Sequence, residues 1–455
     1  MTLTPPCLRK TSARLKSTVA ILAIVAQLAA AIGPAAAFCG FYVAKADAKL
    51  FNKSSKVVLS RDGTKTAITM ASDYDGEPKE FAVVIPVPTF IQRKQIGVVE
   101  PATVEHLDAY TAPRLVEYHD EDPCMLQMME RREASDKLLA APNSALKARE
   151  SVAYKGVTVE ATYDVGEYDV SILSAKESDG LVSWLTDNDY KIPRGAEAVL
   201  ASYIKQNMRF FVAKVNLERM QLGGNKFLRP LQVRYETAKF MLPLRLGTVN
   251  ARGPQDLIIY ALSRKGRVET ANYRTVKLPT GMDVPLYVKD EFGSFYKAMF
   301  DKAVEREDMS AVFTEYAWDM AWCDPCASKP LSNKELVELG ARWIGSDDDT
   351  DFGRMQGVNA YVTRLHVRYD AAHFPEDLAL METHDRENFQ GRYVLRHPWQ
   401  GSTACAGSAE YRASLPARFE REARSLSNLT GWKIAEIAAH MAMTGQSIWR
   451  EGDRP

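Results

Sequence analysis

Two cysteines in the string Trp322-Cys323-Asp324-Pro325-Cys326 have the clearest capacity for covalent chemistry in this sequence. Their spacing lets a dithiol cycle with a disulfide. Such chemistry needs one sulfur ionised near neutral pH, which the positive end of a helix beginning at the motif would provide. Pro325 suits a first helical turn, and Ala311 to Tyr316 reads as a strand leading in. The residues that follow fit less well, because Lys329-Pro330-Leu331-Ser332 would end a helix almost at once. The helix signal comes later, with Ser332 as N-cap and Glu335 completing a capping box. A structural disulfide, local or from these cysteines to others, is therefore the simpler reading. Zinc has less support, since no second Cys-x-x-Cys or His-x-x-x-His stands at ligand spacing.

Asp347, Asp349 and Asp351 alternate as the first ligands of a calcium loop do. Phe352 and Val358 occupy the places where such a loop has its glycine and its closing glutamate, so a solvated surface loop is the favoured reading. His366, His373, His384 and His397 fall near Asp370, Glu382 and Asp385, but no pair has helical metal-site spacing. Separate polar roles are expected for them. Ser202 and Lys205 lie in a predicted helix without a supporting motif, and there is no nucleophile elbow, phosphate loop or dinucleotide fingerprint. Trp184, Trp318, Trp322, Trp343 and Trp399 could line a recognition surface, although core packing is the ordinary fate of tryptophan. No catalytic residue, metal or cofactor is assigned.

The elements that must carry these residues read as mainly β. Alternation predicts strands over Phe41 to Leu50, Lys56 to Ser60 and Lys65 to Met70, with Arg61-Asp62-Gly63 turning between the last two. Glu80 to Ile85 is another, ending at Pro86-Val87-Pro88 as suits a strand end or edge. A charged helical stretch is expected from Met125 to Glu150. Further helices are expected over Leu181, Trp184 and Leu185 and from Ala196 to Gln206. Strands follow at Phe210 to Asn216, Leu228 to Tyr235, Phe240 to Leu246, Leu257 to Leu262 and Val268 to Leu278. Then come a helix over Glu291 to Arg306, a strand over Tyr361 to Tyr369, and closing helices at Glu410 to Leu426 and Lys433 to Met443. Phe41-Tyr42-Val43-Ala44-Lys45 returns as Phe210-Phe211-Val212-Ala213-Lys214, each followed by a strand opening on Phe and broken by Pro. Either a duplication or convergent strand composition accounts for it. The expected fold is α+β, mainly β: two β-rich modules, duplicated or not, decorated by helices and followed by a helical C-terminal segment.

The first 37 residues read as an export signal. Arg9, Lys10, Arg14 and Lys16 precede an apolar run from Thr18 to Ala31, and Ala35-Ala36-Ala37 offers a cleavage site. The run is shorter than the roughly 20 residues a membrane span needs, and no later segment is long enough. The mature chain is expected to begin at Phe38 and to work outside the cytoplasm. Four of the 58 basic residues and none of the 58 acidic ones leave with the signal, a net charge of about −4. With no basic cluster, nucleic acid is not an expected partner. Cys39, Cys124, Cys323, Cys326 and Cys405 remain, an odd set whose pairing the sequence leaves open. The expected units are residues 1–37, the signal; 38–150, an N-terminal β module with a helical extension; 151–310, a central module; and 311–455, a C-terminal module.

Several stretches resemble the bacterial family catalogued as domain of unknown function 2330: Phe38-Cys39-Gly40-Phe41, Glu80 to Pro88, Leu107 to Val116, Tyr168 to Trp184 and Phe240 to Val249. Trp322 to Ala327 and Phe389 to Trp399 are similar to longer members. This resemblance implies an exported bacterial envelope protein and brings no catalytic residues with it. The Trp-Cys-x-Pro-Cys string also resembles the redox motif of thioredoxin-like proteins. The favoured function is non-enzymatic, the binding or scaffolding of an unknown envelope protein or ligand. The alternative is a thiol–disulfide oxidoreductase acting through Cys323 and Cys326.

Overall fold

The computed structural model describes residues 35–36, 41–44, 51–75, 81–124, 161–174, 178–187, 195–216, 218–219, 228–249, 251, 253–324, 327, 329–345, 358–402 and 405–448. Its main strands are β1 (Phe41–Ala44), β2 (Phe51–Asp62), β3 (Lys65–Asp75), β4 (Phe81–Val87), β5 (Ile96–Val98) and β6 (Arg114–His119). The middle of the chain supplies β7 (Ala161–Val165), β8 (Tyr168–Leu173), β9 (Arg209–Val215), β10 (Leu231–Glu236), β11 (Gln255–Ser263) and β12 (Arg274–Lys277). β13 (Ala311–Asp319), β14 (Tyr361–Tyr369) and β15 (Arg392–His397) follow. The helices are α1 (Pro101–Thr111), α2 (Ser178–Asp187), α3 (Ala196–Lys205), α4 (Arg245–Val249), α5 (Phe292–Arg306), α6 (Asn333–Glu338), α7 (Ala406–Thr430) and α8 (Ile434–Met443).

Strand alternation sorts the side chains into layers. Along β2, Val57 and Leu59 face one core while Val58 faces another. The ten-stranded sheet runs β12-β13-β14-β11-β2-β3-β10-β5, with Ala35–Ala36 beside β11 and Phe389–Gln390 beside β13. Its inner face packs on a five-stranded sheet ordered β1-β4-β9-β8-β7, and Leu59, Val233, Ile259 and Leu365 meet Ile85, Ile172 and Phe211. Helices α2 and α3 cover the far side of the smaller sheet through Leu185, Leu200 and Tyr203. Two groups of helices cover the far side of the larger one. At one end α1 and α6 pack Leu107, Tyr110, Leu336 and Leu339 over Val58, Tyr260 and Val362. At the other, α5, α7 and α8 pack Phe295, Met299, Phe419 and Met441 over Phe313 of that sheet and over Tyr393 of a separate three-stranded sheet formed by Met282–Asp283, β15 and β6. Each such side chain contributes about 1.5–3 kcal/mol by leaving water.

The architecture is mixed α+β and mainly β, as expected, and the ten-stranded sheet takes strands from all three expected segments. The two copies of the repeated string do not head separate sheets, since β1 and β9 flank the same strand, β4. Pro86 lies past the end of β1, whose pairing covers only Phe81 to Val84, so no strand is broken on that side. The strand expected over Phe240 to Leu246 stops at Met241–Leu242. Pro243 brings no amide hydrogen, and the Asp377 carboxylate accepts from the Leu244 and Arg245 amides at 2.8 and 3.2 Å, starting α4 instead.

Cys124 and Cys405 form a disulfide with their Cα atoms 6.1 Å apart, joining positions 281 residues apart in sequence. Ala35 and Ala36 pair with Gln255 and Asp256 in parallel, a contact that cleavage after Ala37 would remove. The helix expected over Met125 to Glu150 lies outside the described residues. Among the described residues, no helix is long and apolar enough to cross a membrane.

Candidate functional site

Beyond the end of α6, no helix among the described residues covers the outer face of the large sheet. Ser332 caps α6, accepting from the Glu335 amide while the Glu335 side chain accepts from the Ser332 amide, as the sequence predicts. After one and a half turns the helix closes on Gly340, whose φ of +103° is a left-handed conformation, and the Ala341 amide donates to Leu336 O at 2.9 Å. A Cβ on Gly340 would stand 2.5 Å from Ala67 Cβ, so the backbone here lies directly on the sheet. That close approach positions Arg342 and Trp343 as one wall of a cavity of about 570 Å³.

The sheet supplies the floor through residues that share one face: Ser60 and Asp62 of β2, Lys65 and Ala67 of β3, Arg234 and Glu236 of β10. Cross-strand register places them in rows, with Ala67 between Ser60 and Arg234, and Lys65 between Asp62 and Glu236. Gln95 and Arg264 stand at the sides.

Charge is distributed unevenly in this cavity. Arg264 pairs with Asp62 at 3.3 Å. Lys65, Arg234 and Arg342 have no carboxylate in ion-pair range among the described residues. Arg234 donates instead to Gln232 Oε1 at 3.0 Å and to the Lys94 carbonyl. Burial, together with the like charge of Arg342, lowers the Arg234 pKa from its ordinary value. Ser60 Oγ is buried with no hydrogen-bond partner. An anion entering here would relieve the repulsion between guanidiniums and satisfy the hydroxyl.

A second polar cluster, on the same face of the sheet, has a buried centre at Glu315, Arg364 and His366. It lies in the seam between the two helical groups. Register slips between Thr314 and Tyr316, so Glu315 is the extra residue of a β-bulge. Glu315 accepts from Arg364 Nε at 2.5 Å, contacts His366 Nδ1 at 2.7 Å, and accepts from the Tyr296 hydroxyl. Arg364 reaches on to Asp108 at 2.5 Å, which also takes Lys56 at 2.6 Å and the Tyr260 hydroxyl at 2.7 Å. Beyond His366, Arg368 holds Asp256 at 2.7 and 2.8 Å and Asp301 at 2.6 Å. Burial would raise the Glu315 carboxyl, but Arg364 and His366 outweigh it and hold it at about 2. Asp108 is likewise held at about 2, burial being overcome by Arg364 and Lys56. A carboxylate, a histidine and a tyrosine in contact resemble acid–base machinery. Here Phe300 stacks on the His366 ring with centroids 3.6 Å apart, and Glu315 is fully buried. The charges at the centre of this cluster are buried and paired with one another.

Of the residues singled out by sequence, Trp343 lines the cavity and His366 sits in the seam, and the other described ones lie elsewhere. Trp322 is 68% exposed and Cys323 is exposed, in no disulfide among the described residues. Asp324 is buried and ties this corner to the sheet, accepting from the Tyr316 hydroxyl at 2.9 Å and Gln390 Nε2 at 2.7 Å. The residues at 321–324 are turn and irregular backbone, and the next described helix is α6, beginning at Asn333. Pro325 and Cys326 lie outside the described residues, as do Asp347, Asp349 and Asp351. The histidines are dispersed: His366 is in the seam, His373 pairs with Asp370 at 2.8 Å, and His397 pairs with Glu117 at 2.8 Å. Among the described residues, no group of three or more His, Cys, Asp or Glu could hold a metal. Of the tryptophans, Trp343 lines the cavity, and its Nε1 donates to Asn359 O at 2.9 Å. The cavity's cations went unread because they come from separate strands and loops, and each is an ordinary surface residue in its own stretch of sequence. Gln232, Arg234 and Glu236 between Leu231, Val233 and Tyr235 are the one local signal, a polar face on a half-buried strand.

The chain matches the model of a family described as an uncharacterized protein conserved in bacteria, DUF2330, over residues 33–381. The cavity and the seam fall inside that stretch, whereas α7, α8 and Cys405 follow it. No curated protein and no solved structure matches the chain.

Proposed function

We propose that this chain, which belongs to the bacterial family DUF2330, is an exported, non-enzymatic binding protein of the cell envelope that recognises an anionic group in the cavity beyond α6. One observation carries the reading. Lys65, Arg234 and Arg342 line a concave site with no carboxylate in ion-pair range among the described residues, beside the unsatisfied hydroxyl of Ser60. An anion bound there would compensate the half-buried Arg234 guanidinium and its two cationic neighbours. The Cys124–Cys405 disulfide supports export, because such a bond persists in an oxidising compartment. Calorimetric titration of the full chain with inorganic phosphate at low salt tests the site. Saturable binding that weakens about tenfold in Arg234→Gln and falls as salt is added is expected. No saturation, or equal binding by the variant, overturns the reading.

The exposed thiol of Cys323 favours a second reading, thiol–disulfide exchange with Cys326. It requires the wild type to turn over a disulfide substrate and Cys323→Ser to lose that turnover. An inactive wild type sinks it.

A further inference from the structure

The cavity's acids and its aromatic wall constrain what accompanies the anion. Lys65, Arg234, Arg264 and Arg342 line it together with Asp62 and Glu236, a surplus of two positive charges. Both acids are already engaged within the protein, Asp62 by a cation and Glu236 by a hydroxyl. Asp62 already pairs with Arg264 at 3.3 Å, and Glu236 accepts from Thr64 Oγ1 at 2.8 Å. Each retains lone pairs that can accept from neutral donors, and Ser60 Oγ can both donate and accept. A zwitterion would leave the surplus positive charge uncompensated, and a bare inorganic anion would leave these acceptors and the half-buried Trp343 unused. The volume of about 570 Å³ is of the size that encloses a small molecule.

We infer that the cavity takes an anionic sugar. Its carboxylate or phosphate lies against Arg234 and Arg342, its hydroxyls donate to Asp62 and Glu236, and the apolar side of its ring rests on Trp343. This rests on the recognition reading above and specifies its ligand.

Titrations of the full chain with glucuronate and with glucose 6-phosphate, set against acetate, inorganic phosphate and glucose, test it. The expected result is that at least one sugar anion binds about tenfold or more tighter than the matching bare anion, and that glucose does not saturate. Whichever sugar anion binds identifies the carboxylate or the phosphate as the group recognised. Arg342 is exposed, so Arg342→Gln leaves the fold intact and is expected to weaken the sugar anion about tenfold. Trp343→Ala is expected to abolish the advantage over the bare anion, with the circular-dichroism melt confirming that the variant is folded. Bare anions binding as tightly as the sugar anions would overturn the sugar inference and leave the anion site standing. Glucose binding as well as the sugar anions would overturn the role of the charge. If no anion saturates the site, the recognition reading itself falls.

Discussion

Replacing Glu315 by glutamine removes the central charge of the seam while keeping its shape. Two routes give its cost. The carboxyl moves from an ordinary 4.5 to about 2 on folding. At about 1.4 kcal/mol per unit, that shift is worth roughly 3 kcal/mol. Independently, breaking a buried ion pair by removing one partner costs about 3–5 kcal/mol, because the other charge is left uncompensated. Here that charge is Arg364, 9% exposed at its side chain and left with Asp108 alone. Because the folded pKa is depressed, the contribution is fully present above about pH 4.5 and is lost as pH falls toward about 2. Urea unfolding followed by tryptophan fluorescence should show Glu315→Gln less stable by about 3–5 kcal/mol near neutral pH, with the gap closing in acid. Pairing it with Arg364→Met should give a double variant far less destabilised than the sum of the two single variants. A cost below about 1 kcal/mol, or strict additivity, would mean that the seam's charges are not coupled as their distances imply.

Glu422 has the opposite sign. Burial pushes it up to about 7, Arg418 and Gln446 offsetting this only in part. Its proton is held more tightly in the folded state, so stability falls as pH rises from about 4.5 through about 7, by roughly 3 kcal/mol. Glu422→Gln should match the wild type near pH 5 and exceed it near pH 8, and equal stabilities at both would refute the assignment. Opening the Cys124–Cys405 bridge by Cys405→Ser should cost about 2–5 kcal/mol in the same unfolding assay. A non-reducing peptide map should link the Cys124 and Cys405 peptides, while Cys323 is alkylated in the native protein. Gly340→Ala should cost about 1–3 kcal/mol through its left-handed backbone and the 2.5 Å approach to Ala67, and should weaken anion binding by displacing Arg342 and Trp343. Unchanged stability would show that the loop after α6 does not lie against the sheet.

Much of the local structure was legible in the sequence because it rests on neighbours. The strand over Tyr361 to Tyr369, the helix ending at Arg306 and the capping box of Ser332 and Glu335 depend on residues a few positions apart, and all three are found. Phe240 to Leu246 misled because the acceptor that starts α4 instead is Asp377, more than a hundred residues away. The cavity was illegible for the same reason. The Trp322 to Cys326 string is contiguous and so was visible, whereas the cavity is assembled from β2, β3, β10 and the loop after α6.

The sequence by itself determined the mixed, mainly β character of the chain, its membership of a bacterial family and the type of most elements. Side-chain periodicity, turn residues and caps act over one or two turns or a strand length. Only the tertiary structure decided which strands are neighbours, that Glu315 is a buried anion in a bulge, and that Cys124 meets Cys405. It alone gathered Lys65, Arg234 and Arg342 into one concave site. Burial and electrostatic coupling depend on distance in space, and residues far apart in the chain acquire that distance only when the sheet forms.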